Sequence, residues 1–401
     1  MQKPELFRGD MQIFTVITKP TKFCNADCTY CSAPPDGARK WSLDDFKRFF
    51  DKLAPHLGYG ADIIWHGGEP MLMGPDFYIK AHEYKQSIRP DVRFSMQSNI
   101  LLYERDAWFD VMRDIFQWHV STSYDPDQQN RTLKGSTQAY TERFWEKLDQ
   151  VIEDGGRPMV IGTYTQLTWP FAMKMYERIL AMGDGAVPLR FNYRYPAGRD
   201  AGMGEMITPE TYGRMLIELY ERWMKDVPVF SITPLDQMLR KVTGVESARC
   251  PWTKSCGGKF LGVEPNGDTF NCSEFADLAD PQYRFGNIFK QTVPEMLASP
   301  PAILIRRRRV DNPPDCKTCR HYEVCEGGCA RDSVLYERGL GGKFYYCQSW
   351  KMVFDRIKES VRTGEAAGVI ERHGGFDPLH GVRAVDPVSL EIDQSIDSEK
   401  V

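Results

Sequence analysis

The stretch Cys24-Asn25-Ala26-Asp27-Cys28-Thr29-Tyr30-Cys31 sets three thiols at x3 and x2 spacing, directly after a β-rich run at 13–17. Working outward, five more β-rich runs follow, at 61–65, 92–96, 119–123, 159–163 and 187–193. They alternate with helix-like stretches near 42–54, 75–87, 104–116, 136–153 and 170–182. Ser42 is placed to cap the first helix, with Asp44 and Asp45 favourable at its positive end. Thr208-Pro209-Glu210 opens another, with the hydroxyl as cap and proline in the first turn. Strands alternating with helices imply parallel pairing through right-handed crossovers. Six such units are fewer than a closed eight-fold barrel needs. The expected fold class is therefore α/β, a partial (β/α)6 barrel or open parallel sheet over 11–225. In either form ligands gather at the carboxyl ends of the strands, where the three thiols stand.

The rest of the chain differs in character. Of 11 cysteines, three lie in that first loop and the other eight fall between Cys250 and Cys347. An odd number of thiols fits a closed disulfide framework badly, and metal is the better explanation. The expected division is a bridge at 226–249, a metal-dense domain at 250–350, a closing helix at 351–375 and a flexible acidic tail at 380–401. The metal-dense stretch is rich in glycine and proline and weak in helical periodicity. Its stability is expected to rest on bound metal rather than on a core. A mean hydropathy of −0.46 and the lack of a long apolar run exclude a membrane helix. MQKPELFRGD has no signal-peptide apolar region, and a net charge of −4 argues against nucleic-acid binding. The expectation is a cytoplasmic enzyme.

Three thiolates at x3, x2 spacing suit one face of a cubane [4Fe–4S] cluster and leave one iron without a protein ligand. A zinc site completed from elsewhere, or buried thiols, would use the same residues. A second segment bears on the choice. His66-Gly67-Gly68-Glu69-Pro70 stands at the end of the second β-rich run. Its glycines permit close backbone approach, and Glu69 with nearby carbonyls can accept hydrogen bonds from an ammonium group.

Together, the cysteine triad and GGEP resemble the radical S-adenosylmethionine (radical SAM) superfamily. The resemblance implies that the open iron chelates the amino and carboxylate groups of S-adenosyl-L-methionine, and that cleavage yields a 5′-deoxyadenosyl radical. It places Gly67, Gly68, Glu69 and Pro70 at the cosubstrate amino group and Tyr30 against cluster and adenine. Gln97-Ser98-Asn99 is similar to a family segment near the cosubstrate, which makes Asn99 a candidate contact. Ser123-Tyr124-Asp125-Pro126 is similar to the family's SxDG-like turn, with Pro126 in place of glycine. Ser123 is thus a candidate for the carboxylate, with Arg131 or Arg143 as ionic partner; a solvated helix face explains either arginine equally well. Tyr195-Pro196-Ala197-Gly198 resembles a last ligand-facing loop.

The remaining cysteines read Cys250-x5-Cys256, Cys272, Cys316-x2-Cys319-x5-Cys325-x3-Cys329 and Cys347, with Gly267 before Cys272. Alone they suit zinc. Joined to the first domain they resemble the SPASM extension. That resemblance implies one auxiliary [4Fe–4S] cluster on Cys250, Cys256, Cys272 and Cys329, and another on Cys316, Cys319, Cys325 and Cys347. With the catalytic cluster this makes three, and no cysteine is left over.

Enzymes of this type commonly oxidise peptides. The layout is similar to anaerobic sulfatase-maturating enzymes, in which an aspartate after the third cysteine of the first auxiliary set serves as base. Here Ser273 stands in that place, and Glu274 or Asp277 is the candidate substitute. The departure favours oxidative cross-linking of a ribosomally synthesised peptide, with or without a leader segment, over formylglycine formation. Radical dehydrogenation of an amino sugar or alcohol is a further alternative. Flavodoxin or ferredoxin is the expected reductant. The basic run 306–309 could attract an acidic leader, though a solvated face is the commoner use of such a run.

Overall fold

The computed structural model describes residues 11–31, 39–126, 130–197, 206–245, 250, 256–308, 310–334 and 339–373. In chain order its main elements are β1 (Ile13–Thr18), α1 (Leu43–Leu53), β2 (Leu57–Trp65), α2 (Pro75–Ile88), β3 (Arg93–Gln97), α3 (Arg105–Asp110), β4 (Val120–Ser123), α4 (Thr137–Glu153), β5 (Met159–Tyr164), α5 (Ala172–Leu180), β6 (Leu189–Tyr193), α6 (Pro209–Asp226), β7 (Ile232–Thr233), α7 (Leu235–Val242), β8 (Phe260–Val263), β9 (Asp268–Phe270) and β10 (Gly286–Asn287). All six expected strands form.

The local signals act as their chemistry requires. Ser42 and Asp45 close a reciprocal capping box on α1, and the Thr208 hydroxyl caps α6. Along α1, Phe46, Phe49, Phe50 and Leu53 recur at helical spacing and are fully buried. Phe46 packs on Trp65 of β2, and Trp65 on Phe94 of β3, with ring centroids 5.6 and 5.2 Å apart. The 104–116 stretch is helical but ends in a π turn at Val111–Ile115.

The sheet departs from expectation. It has ten strands, in the order β10-β9-β8-β1-β2-β3-β4-β5-β6-β7. β1 pairs in parallel with β2 on one side and β8 on the other, Thr18 lying opposite both Trp65 and Val263. The cysteine-rich part therefore extends the sheet of the first domain. Strand β8 is Phe260-Leu-Gly-Val263, four buried residues with no polar alternation, which a periodicity reading passes over. The expectation that this part lacks a core is corrected as well. Leu261, Val263, Phe275, Ile288, Met296, Leu297 and Tyr346 are all essentially buried.

The closing helix begins at Cys347, runs to Thr363 and is followed by a second helix, Ala367–His373. It packs on α6, where Ser349 Oγ donates to Pro209 O at 2.5 Å and Arg356 pairs with Glu221 at 3.0 Å. The expected tail, Gly198 and Arg309 lie outside the described residues. No helix among the described residues is long and apolar enough to cross a membrane.

Candidate functional site

The loop that leaves β1 carries Cys24, Cys28 and Cys31 and is gripped from two sides. Gly68 N–H donates to Thr21 O at 3.1 Å and Glu69 N–H to Phe23 O at 2.7 Å. A Cβ on Gly67 would stand 2.2 Å from Thr21 O, and one on Gly68 2.2 Å from Phe23 O. These glycines thus let the GGEP backbone lie against the cysteine loop, a use the ligand-approach reading had not anticipated. On the other side, Asp27 N–H donates to Thr132 O and Thr29 N–H to Asn130 O, both at 2.9 Å.

Glu69 is fully buried, and Pro70 opens a short 3-10 turn, its carbonyl accepting from the Tyr78 hydroxyl at 2.8 Å. The Glu69 carboxylate accepts from Met71 N–H at 2.8 Å, Ser98 Oγ at 2.7 Å and Asn99 N–H at 2.7 Å. Burial pushes its pKa up to about 7 against the pull of these donors. Asn99 in turn donates from Nδ2 to Asn25 Oδ1 at 2.7 Å and approaches Cys24 Sγ at 3.8 Å. The first cluster loop, GGEP and Gln97-Ser98-Asn99 form one hydrogen-bonded unit.

A second unit lies beyond β4. Asp125 accepts from Thr163 N–H at 2.8 Å, from Arg131 Nε at 2.9 Å and from the Tyr30 hydroxyl. The Tyr30 ring faces two guanidinium groups, those of Arg131 and Arg194, at 5.4 and 5.7 Å. Ser123 closes β4, its carbonyl accepting from the Tyr140 hydroxyl at 3.0 Å. Arg143 is not brought here. Its guanidinium pairs with Glu104 at 2.6 Å and Glu146 at 2.9 Å and donates to Leu101 O. Of the two candidate arginines, only Arg131 joins the cluster loop.

The candidate bases are both engaged. Asp277 forms a buried ion pair with Lys19, whose Nζ also lies 2.8 Å from Glu264 Oε1. Strand register explains this: Thr18 pairs with Val263, so the next residue on each strand meets its opposite charge. Glu274 receives two hydrogen bonds from Arg331, one of them at 2.9 Å. Burial opposes its charge, yet Arg331 prevails and holds the carboxyl below its usual range. Both carboxylates are held in ion pairs as placed, Asp277 buried and Glu274 partly exposed. The Ser273 hydroxyl is buried with no hydrogen-bond partner among the described residues.

Sequence reasoning missed the partner of Glu274. Arg331, fully buried, also pairs with Asp332 at 2.8 Å and lies 3.7 Å over the Tyr195 ring. Asp332 accepts from the Tyr193 hydroxyl at the end of β6. His66 faces the same space. Burial, with Lys19 nearby, pushes its pKa down to about 4, and Gly67 N–H donates to its Nδ1 at 2.7 Å. The available signal was adjacency: Arg331 and Asp332 directly follow the Cys329-Ala pair, and His66 precedes GGEP.

The other eight thiols gather as two sets. Cys250 lies within electrostatic range of Cys256 and Cys272, and Cys329 within range of Cys250. Cys316, Cys319, Cys325 and Cys347 line one cavity. Burial and mutual repulsion raise the pKa of most of these thiols, Cys325 to about 12. Soft donors in threes and fours, unwilling to ionise alone, fit a cationic metal group that would compensate their charge.

Residues 18–170 match the family model of the Radical SAM superfamily, and residues 250–320 that of SPASM, an iron–sulfur cluster-binding domain. The chain is 25% identical to a serine-type anaerobic sulfatase-maturating enzyme of Klebsiella aerogenes, across 83% of this chain and 84% of that one. Its fold is shared with native anSMEcpe with bound AdoMet and Cp18Cys peptide: TM-score 0.73 at 21% identity, over 88% of this chain and 99% of that one. It is shared also with Streptococcus suis SuiB bound to precursor peptide SuiA: TM-score 0.62 at 13% identity, over 84% and 76%. The triad loop docked on GGEP, the two gathered four-thiol sets and both family matches agree: the chain carries a radical SAM domain over 18–170 and a SPASM domain over 250–320.

Proposed function

We propose that this chain is an oxidoreductase that generates a 5′-deoxyadenosyl radical and oxidatively cross-links a ribosomally synthesised peptide. The observation that carries the reading is three thiol sets, a triad after β1, a set of four about β8 and β9 of the same sheet, and a set of four beyond the sheet. Three [4Fe–4S] clusters bound there would supply reductive cleavage of S-adenosyl-L-methionine at the triad and a one-electron sink for the substrate radical at the others. Flavodoxin or ferredoxin in the cytoplasm supplies electrons.

The chain's own residues do the positioning. Glu69 accepts three hydrogen bonds and a carboxylate has about four acceptor positions, so it can take one more, from the cosubstrate ammonium. Asp125 fixes Arg131 and Tyr30, which brings a cation to the Ser123 side for the cosubstrate carboxylate. Tyr193, Asp332, Arg331 and Glu274 form a connected polar cluster with His66 in electrostatic range, the side we assign to the peptide.

Sulfatase maturation is the second reading, favoured by the relatives that match over most of the chain. Ser273 and the engaged Glu274 and Asp277 weigh against it. Anaerobic reaction with a short peptide encoded beside this gene, followed by mass spectrometry, separates the two. The expected product has lost two hydrogens and does not react with a hydrazide probe. A hydrazide-reactive aldehyde on a sulfatase peptide would instead establish formylglycine formation.

A further inference from the structure

Of the basic run 306–309, Arg307 is a surface residue paired with Asp311 at 2.9 Å. Arg306 and Arg308 are buried, at 5% and 6% exposure, which removes them as a leader-binding face. Arg306 donates to Leu297 O at 2.6 Å and braces the core. Arg308 has a different setting.

Arg308 donates to Gly327 O at 3.0 Å, to Gly342 O at 2.9 Å and to Leu340 O. Gly327 lies between Cys325 and Cys329, and the 340–342 turn precedes Cys347. All three acceptors are neutral carbonyls, and no carboxylate pairs with this guanidinium among the described residues. The charges that act on it belong to thiols of both sets: Cys329 and Cys256 from one, Cys316 and Cys325 from the other. The influence is mutual, since Arg308 favours ionisation of Cys256 and of Cys316.

A buried cation without an anion is costly, and proteins rarely keep one unless something negative faces it. Four thiolates around a [4Fe–4S] core give a net anion, and one-electron reduction adds another negative charge. A cation between two such groups stabilises the reduced form of each, and in a low-dielectric setting the effect is large.

We propose that Arg308 is a shared counter-cation for the two auxiliary cluster sites, raising the reduction potential of both. Arg306 and Arg307, bound to Leu297 O and Asp311, are not assigned this role. The proposal rests on the reading that both four-cysteine sets hold clusters. It ties the potentials of the two sites to one residue, so that an electron delivered to either meets the same compensating charge.

The test is an EPR-monitored redox titration of the anaerobically reconstituted full chain, wild type against Arg308→Gln and Arg308→Lys. The triad cluster serves as internal reference. Iron and sulfide analysis of the wild type comes first. About four irons rather than about twelve, with zinc making up the difference, would end the cluster reading itself. With clusters loaded, Arg308→Gln is expected to disfavour reduction of both auxiliary clusters about tenfold, ~59 mV for one electron, and to leave the triad cluster unmoved. Arg308→Lys, which keeps the charge and loses the fork, should stay near wild type. Unchanged auxiliary potentials in a fully loaded Gln variant overturn the proposal. If the Gln variant fails to load, normal loading of the Lys variant supports a charge role. Equal failure of both shows a loop staple and overturns it.

Discussion

Lys19 Nζ lies 2.8 Å from Glu264 Oε1, and the two side chains are only 1% and 9% exposed. Lys19 directly follows the strand that launches the three-cysteine loop, and Glu264 directly follows the strand that the SPASM region adds beside it. Asp277, five residues after Cys272, completes the contact. Replacing Lys19 by Met takes the cation from the buried Asp277 carboxylate and leaves Glu264 with Lys22, at 2.8 Å. The expected cost is about 3–5 kcal/mol. Thermal unfolding of the loaded protein under anaerobic conditions measures it, and a loss below about 1 kcal/mol speaks against this pair as the join between the domains.

Glu69 ties GGEP to Ser98 and Asn99. Glu69→Ala strands the two backbone N–H donors of Met71 and Asn99, each worth about 1–3 kcal/mol when buried and unpaired. Equilibrium binding of S-adenosyl-L-methionine should weaken at least about tenfold, about 1.4 kcal/mol, while the auxiliary irons remain. Unaltered binding would contradict a role for this carboxylate at the cosubstrate.

His66 supplies a pH signature. It is held neutral, its pKa lowered to about 4 by burial and by Lys19, with Gln97, Glu264 and Glu274 also facing it. A histidine depressed in the fold contributes stability above its unfolded value of about 6.5. That contribution is lost as pH falls from there toward 4. His66→Gln should therefore flatten the decline in folding stability between pH 6.5 and 4, as chemical denaturation at a series of pH values would reveal. Parallel wild-type and variant curves would show that His66 does not carry that titration.

Arg331 holds Glu274 and Asp332 and covers Tyr195. Arg331→Met should reduce peptide product at least about tenfold while S-adenosyl-L-methionine cleavage continues, because the variant disturbs the side assigned to the peptide and spares the triad. Equal loss of both activities would place its effect on the whole fold.

Much of this was legible in the sequence. The β/α alternation, the caps at Ser42 and Thr208 and the thiol spacings depend on local chemistry, and local chemistry is written residue by residue. Strand β8 was not, because four buried residues without alternation have no periodic signature. Pairing β8 with β1 then changed the meaning of Asp277, from a candidate base to a buried counter-charge. Arg308 was hidden for the same reason. As part of a basic run it resembles a solvated face, and only the fold carries its guanidinium between two cysteine sets.

The most direct test of the central claim is cosubstrate cleavage by anaerobically reconstituted protein under dithionite, with 5′-deoxyadenosine quantified by chromatography. Wild type is expected to form it, and Cys24→Ala to form none while keeping its auxiliary irons. No 5′-deoxyadenosine from wild type carrying about twelve irons would contradict the account.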